Sequence, residues 1–196
     1  MIDLAQYKAA KSQLRPGDLV FYWGSALLSR LIEGLSCNGP SHVQIVESVL
    51  ADGTVMIAES TIENHVSGVQ RHPLTHSIES YPDGSTVGAA LLRDDVRARA
   101  DWSQLSPFVD SCIIGMVGYD VLGLVKFLEP EGLREGQAND VKMVCSSFAT
   151  AALEHVGVLA GIPYSQSSPQ LLIQMRLYAS FVPLAGRPRP RHFDSV

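Results

Sequence analysis

A chain of 196 residues, 46% hydrophobic and 18% charged, is too apolar to be disordered and long enough to bury a core without metal or disulfide staples. Its net charge of −5, with Lys and Arg scattered along the chain, lacks the basic stripe that a nucleic-acid partner requires. Cys37, Cys112 and Cys145 lie far apart with no CxxC pair, which argues against a disulfide framework and a zinc ribbon.

The opening stretch is broken by Asp3, Lys8 and Lys11, so no secretory signal is expected. LRPGDLVFYW (14–23) reads as a turn at Pro16-Gly17 feeding a short strand. SALLSRLIEGL (25–35) has the leucine spacing of an amphipathic helix. Strand candidates follow in SHVQIVESV, in TVMIAES after Asp52-Gly53, around GVQRHPL, and in STVGAALLR, spaced as an antiparallel meander. From Trp102 onward the pattern turns helical, through DWSQLSPFVDSCIIG, YDVLGLVKFL, CSSFATAALEHVG and SPQLLIQMRLYAS. The apolar run from Cys112 to Leu128 carries Asp120 and Lys126 and falls short of a membrane span. Strands early and helices late imply the α+β class, as one domain over residues 1–185 with a Pro/Arg-rich tail over 186–196.

Cys145 stands where an apolar approach meets a helix start, and there the unpaired N–H groups and the macrodipole favour a thiolate. The bland alternative is a small buried hydrophobe. A nucleophile needs a base, and the base needs an orienting group. His42 begins a strand after the turn Asn38-Gly39-Pro40-Ser41, and Glu59 closes the neighbouring strand within reach of hairpin pairing. His72 and His76 are four apart, a metal-ligand spacing on a helix, but Pro73 makes strand or loop the expected state there. No metal or cofactor is expected. No G-x-S-x-G elbow occurs, which disfavours a serine nucleophile.

LRPGDLVFYW, SHVQIVES, the following AES, the Tyr119-Asp120 pair and VCSSFATAAL, in that order, resemble the circularly permuted, YiiX-like branch of the NlpC-type papain-like cysteine peptidases. The histidine strand precedes the cysteine helix, as in the permuted branch. The resemblance implies a papain-like α+β fold, an antiparallel sheet packed against helices. It also implies Cys145 as nucleophile, His42 as base, Glu59 as the polar third member and Tyr119 as a hydroxyl lining the substrate site. The implied activity is hydrolysis of an amide in a small peptide or amidated amino acid, such as a cell-wall (peptidoglycan) stem peptide, through a thioester and without a cofactor. A lipid acyl hydrolase or acyltransferase on the same fold, and a catalytically inactive binding module, are the alternatives. Several members of that branch carry an export signal; its absence here points to a cytoplasmic or phage-encoded enzyme.

Overall fold

The computed structural model describes residues 4–24, 39–63, 66–82, 84–115, 144–163 and 167–186. The helix expected over 25–35, the segment YDVLGLVKFL, Tyr119, Cys37, His65 and the tail beyond Gly186 lie outside the described residues.

A short helix α1 (Ala5–Ala10) and a 3-10 turn lead into β1 (Leu19–Trp23). Then come β2 (His42–Val49), β3 (Val55–Glu63), β4 (Val66–Pro73), α2 (Leu74–Ser80), β5 (Thr86–Leu92) and α3 (Asp94–Arg97). The chain continues through α4 (Leu105–Ile114), α5 (Cys145–His155), α6 (Pro169–Gln174) and β6 (Tyr178–Ala185). The strands form one sheet in the order β4-β3-β2-β1-β5-β6, every neighbouring pair antiparallel. The architecture is α+β, as the segregation of strand and helix patterns implies.

Alternation along the strands divides the core in two. Leu19, Phe21, Val43, Ile45 and Ala58 meet Leu105 and Val109 of α4, Phe148 and Ala152 of α5, and Leu172 of α6. Val20, Tyr22, Val46 and Ile57 meet Tyr7 and Ala10 of α1 and Leu74 and Ile78 of α2. Helices therefore cover both faces. Phe148 is fully buried, and that burial contributes roughly 2–3 kcal/mol.

Two anchors hold the strands in place. At the Pro16-Gly17 turn Gly17 adopts φ +90°, and a Cβ there would sit 2.2 Å from the Trp102 ring, so only glycine fits. Buried Asp18 accepts from Leu92 N–H at 2.9 Å and from Arg15 N–H at 2.7 Å, and pairs with Arg97 of α3. It thereby joins the start of β1 to the end of β5. On β2 a bulge between Val46 and Ser48 frees Glu47 to pair with Arg71 of β4, which also bonds Asp110 of α4 at 2.8 Å.

Three expectations are corrected. The antiparallel run in chain order covers β1 to β4 and stops there; β5 does not follow β4 but pairs with β1, because α2 carries the chain away from the β4 edge. The segment after Pro73 is helix, not strand or loop: Pro73 is extended (φ −61°, ψ 140°) and caps α2. The helix expected over SPQLLIQMRLYAS ends at Gln174, where Met175 turns extended (ψ 140°), and the residues from Tyr178 form the edge strand β6. Pairing with β5 satisfies that backbone better than helical propensity does. Among the described residues no helix is long and apolar enough to cross a membrane.

Candidate active site

Cys145 is the first residue of α5, after Val144 in extended conformation (φ −78°, ψ 166°). Among the described residues no side chain caps this helix end. Ser146 instead ties its hydroxyl to the Ser167 carbonyl at 2.8 Å. The first N–H groups of a helix have no intrahelical acceptor, and the positive end of the α5 dipole lies at Cys145. The cysteine is 6% exposed and belongs to the core on the α4–α5–α6 face.

His42 opens β2 opposite Tyr22 of β1. Its side chain is 12% exposed. Nε2 bonds Oε2 of Glu59, and the Cys145 sulfur acts electrostatically on the same ring. With Nε2 engaged by the carboxylate, Nδ1 is the ring nitrogen left for the sulfur. The order is sulfur, imidazole, carboxylate. Burial alone would drive His42 towards neutrality; Cys145 and Glu59 outweigh it and raise the ring from 6.5 to about 10.

Glu59 is 3% exposed. Burial pushes its carboxyl up, but charge and hydrogen bonds from His42 and His72 overcome this and hold it well below the usual carboxylate range, near 2. Its register explains the contact. Ile45 pairs with Ala58, so one step along the ladder sets Glu59 across from Gln44, on the face that His42 shares. Oε1 accepts from Gln44 Nε2 at 3.0 Å and meets His72 Nε2 of β4 at 2.9 Å. Gln44 in turn accepts from the Tyr22 hydroxyl at 2.8 Å and donates to Ser77 of α2 at 2.7 Å. The Tyr22 phenol is raised by burial and by Glu59, which keeps it a neutral donor. Tyr81 stacks on Tyr22, with ring centroids 4.3 Å apart.

The structure thus brings together Cys145, His42 and Glu59. Tyr119 lies outside the described residues. Sequence reasoning missed Gln44, His72, Tyr22 and Ser77, although a signal for Gln44 was there: it is two residues from His42 on one strand and must share its face. His72 and His76 are not on one helix, since the first lies in β4 and the second in α2; their rings meet edge to face at 5.1 Å. Among the described residues no group of three or more His, Cys, Asp and Glu side chains is arranged to hold a metal ion.

No family model matches the chain, and no curated protein matches it. Among solved structures the chain is similar to the metalloprotein YiiX from Escherichia coli O157:H7, at 14% identity and a TM-score of 0.52, over 75% of this chain and 68% of that one. At that identity the likeness is one of fold: an α+β, YiiX-like arrangement of sheet and helices.

Proposed function

We propose that this chain is a cysteine hydrolase of the circularly permuted, NlpC-type papain-like kind, cleaving an amide in a small peptide or amidated amino acid, a cell-wall stem peptide among the candidates. The observation that carries the reading is the line from Cys145 through His42 to Glu59, with the sulfur at a helix start. The thiol proton rests on Nδ1 of His42, and the thiolate attacks the carbonyl carbon. The N–H groups at the start of α5 receive the oxyanion. As the intermediate collapses, the imidazolium returns its proton to the leaving amine, and a thioester remains on Cys145. His42 then deprotonates a water that attacks the thioester, releasing the acid and restoring the thiol. Glu59 stays ionised throughout, holding the ring and stabilising its cationic form.

The neighbour YiiX is a metalloprotein. A metal does not fit this donor set, since Oε1 of Glu59 already faces Gln44 and His72 nitrogens and Oε2 faces His42.

The test is a panel of stem peptides, aminoacyl amides and lipid acyl esters, assayed with wild type and Cys145→Ala in parallel. Turnover of an amide that falls by a factor on the order of 10⁴ in Cys145→Ala supports the reading. Cleavage of acyl esters alone would favour a lipid acyl hydrolase. No turnover, together with an unreactive Cys145, would leave a binding module.

A further inference from the structure

Hydrolysis through Cys145 and His42 uses one oxygen of Glu59, and the other is held from both sides. β3 lies between β2 and β4, and each neighbour sends one nitrogen to Oε1: Gln44 at 3.0 Å and His72 at 2.9 Å. His72 pairs with Ile57, two residues before Glu59, so the histidine stands on the face that Ile57 turns to the α2 core. Its side chain is 12% exposed.

The proton on His72 can be placed by elimination. Nε2 faces two oxygens, the Ser77 hydroxyl at 2.8 Å and Glu59 Oε1 at 2.9 Å; an unprotonated Nε2 would turn its lone pair on the carboxylate, so Nε2 carries the hydrogen and shares it between the two. Ser77 lies 2.8 Å from the same nitrogen and 2.7 Å from Gln44 Nε2, so one hydroxyl from α2 fixes both donors. His76 holds the plane of the His72 ring from its edge.

We propose that His72 is a positioning residue for the Cys145–His42 pair: by donating from Nε2 to Oε1 of Glu59 it fixes the rotation of the carboxylate, and through it the orientation of the His42 ring. The inference rests on the hydrolase reading for its meaning, but its test needs no substrate. A carboxylate turns freely about its Cβ–Cγ and Cγ–Cδ bonds unless both oxygens are held. Oε2 held by His42 alone would leave the pair to swing together. Oε1 clamped between two strands removes that freedom, so Nδ1 stays aimed at the sulfur.

The readout is the rate of Cys145 alkylation by iodoacetamide at pH 6.5, with the fold of each variant checked by circular dichroism and thermal melting. His72→Leu removes the donor and should slow alkylation about tenfold, the weight of one hydrogen bond. His72→Gln places an amide N–H2 where Nε2 was and should recover the rate to within about threefold. His72→Asn reaches only as far as Nδ1 and should not recover it, and it serves in place of leucine should that variant fail to fold. In a Glu59→Ala background, which leaves no oxygen for His72 to hold, the effect of His72→Leu should shrink to about twofold or less. Equal rates in His72→Leu and wild type would overturn the proposal. So would additive effects in the double variant, or rates that fall in step with melting temperature whichever residue replaces His72. Coupling of His72 to Glu59 with no turnover on any substrate would remove the hydrolase and keep the clamp. Turnover with no coupling would do the reverse.

Discussion

Glu59→Gln changes the charge of one buried group while keeping its shape, and three hydrogen bonds register the change. The carboxylate faces three nitrogens: His42 on Oε2, and Gln44 and, shared with the Ser77 hydroxyl, His72 on Oε1. An amide offers one oxygen and one N–H2. If its oxygen faces Gln44 and His72, its N–H2 faces His42 Nε2, which must then accept; the ring proton moves to Nδ1, and Nδ1–H no longer takes the thiol proton. The reverse rotation sets N–H2 against two donors, at about 1–3 kcal/mol for each group left unpaired. The lost charge adds to this. His42 is carried from 6.5 to about 10 against its own burial. The sulfur does this first and the carboxylate second, so losing the carboxylate charge should cut the ion-paired form by about tenfold or more. The assay is the rate of Cys145 alkylation by iodoacetamide at pH 6.5, read by mass spectrometry beside a melting curve. A folded Glu59→Gln protein that alkylates within about threefold of wild type would refute this account of the carboxylate.

Three further outcomes rest on the same geometry. Glu59 titrates lower in the fold than its ordinary 4.5, so its stabilisation is present above pH 4.5 and is lost as pH falls through about 2; the melting-temperature gap between wild type and Glu59→Gln should close over that window. Burial pushes the Cys112 thiol up, whereas Cys145 has the imidazole partner, so brief iodoacetamide treatment at pH 6.5 should label Cys145 ahead of Cys112 and Cys37; equal labelling would count against an activated thiol. Gly17→Ala places a Cβ 2.2 Å from the Trp102 ring at φ +90° and should cost about 2 kcal/mol or more in a urea titration; Trp102→Leu should relieve the clash but not the backbone strain.

The site was legible where local pattern and strand parity sufficed. A turn followed by alternating residues located His42, and a short hairpin after Asp52-Gly53 implied that Glu59 would reach it. His72 was visible as a residue but not as a neighbour of Glu59, because that depends on the β3–β4 register and on α2 beginning at Leu74. β6 was hidden for a different reason. Leu171, Leu172, Met175 and Leu177 suit a helix, and no proline or glycine stops it; only the unpaired side of β5, more than eighty residues back, makes a strand the better state. Non-local pairing of this kind leaves no mark in a short window.

The same strand order carries a hazard during synthesis. β5 ends at Leu92, and the strand that covers its outer side begins at Tyr178, so the 85 residues 93–177 must be translated in between, at about 5–20 residues per second. For some 5–20 s the nascent chain holds the apolar run Val87-Gly88-Ala89-Ala90-Leu91-Leu92 with its outer N–H and C=O groups unclaimed, a template for pairing with another ribosome's product. A chain cut before Tyr178 would keep that edge open for good, and its fate would be aggregation instead of a smaller fold.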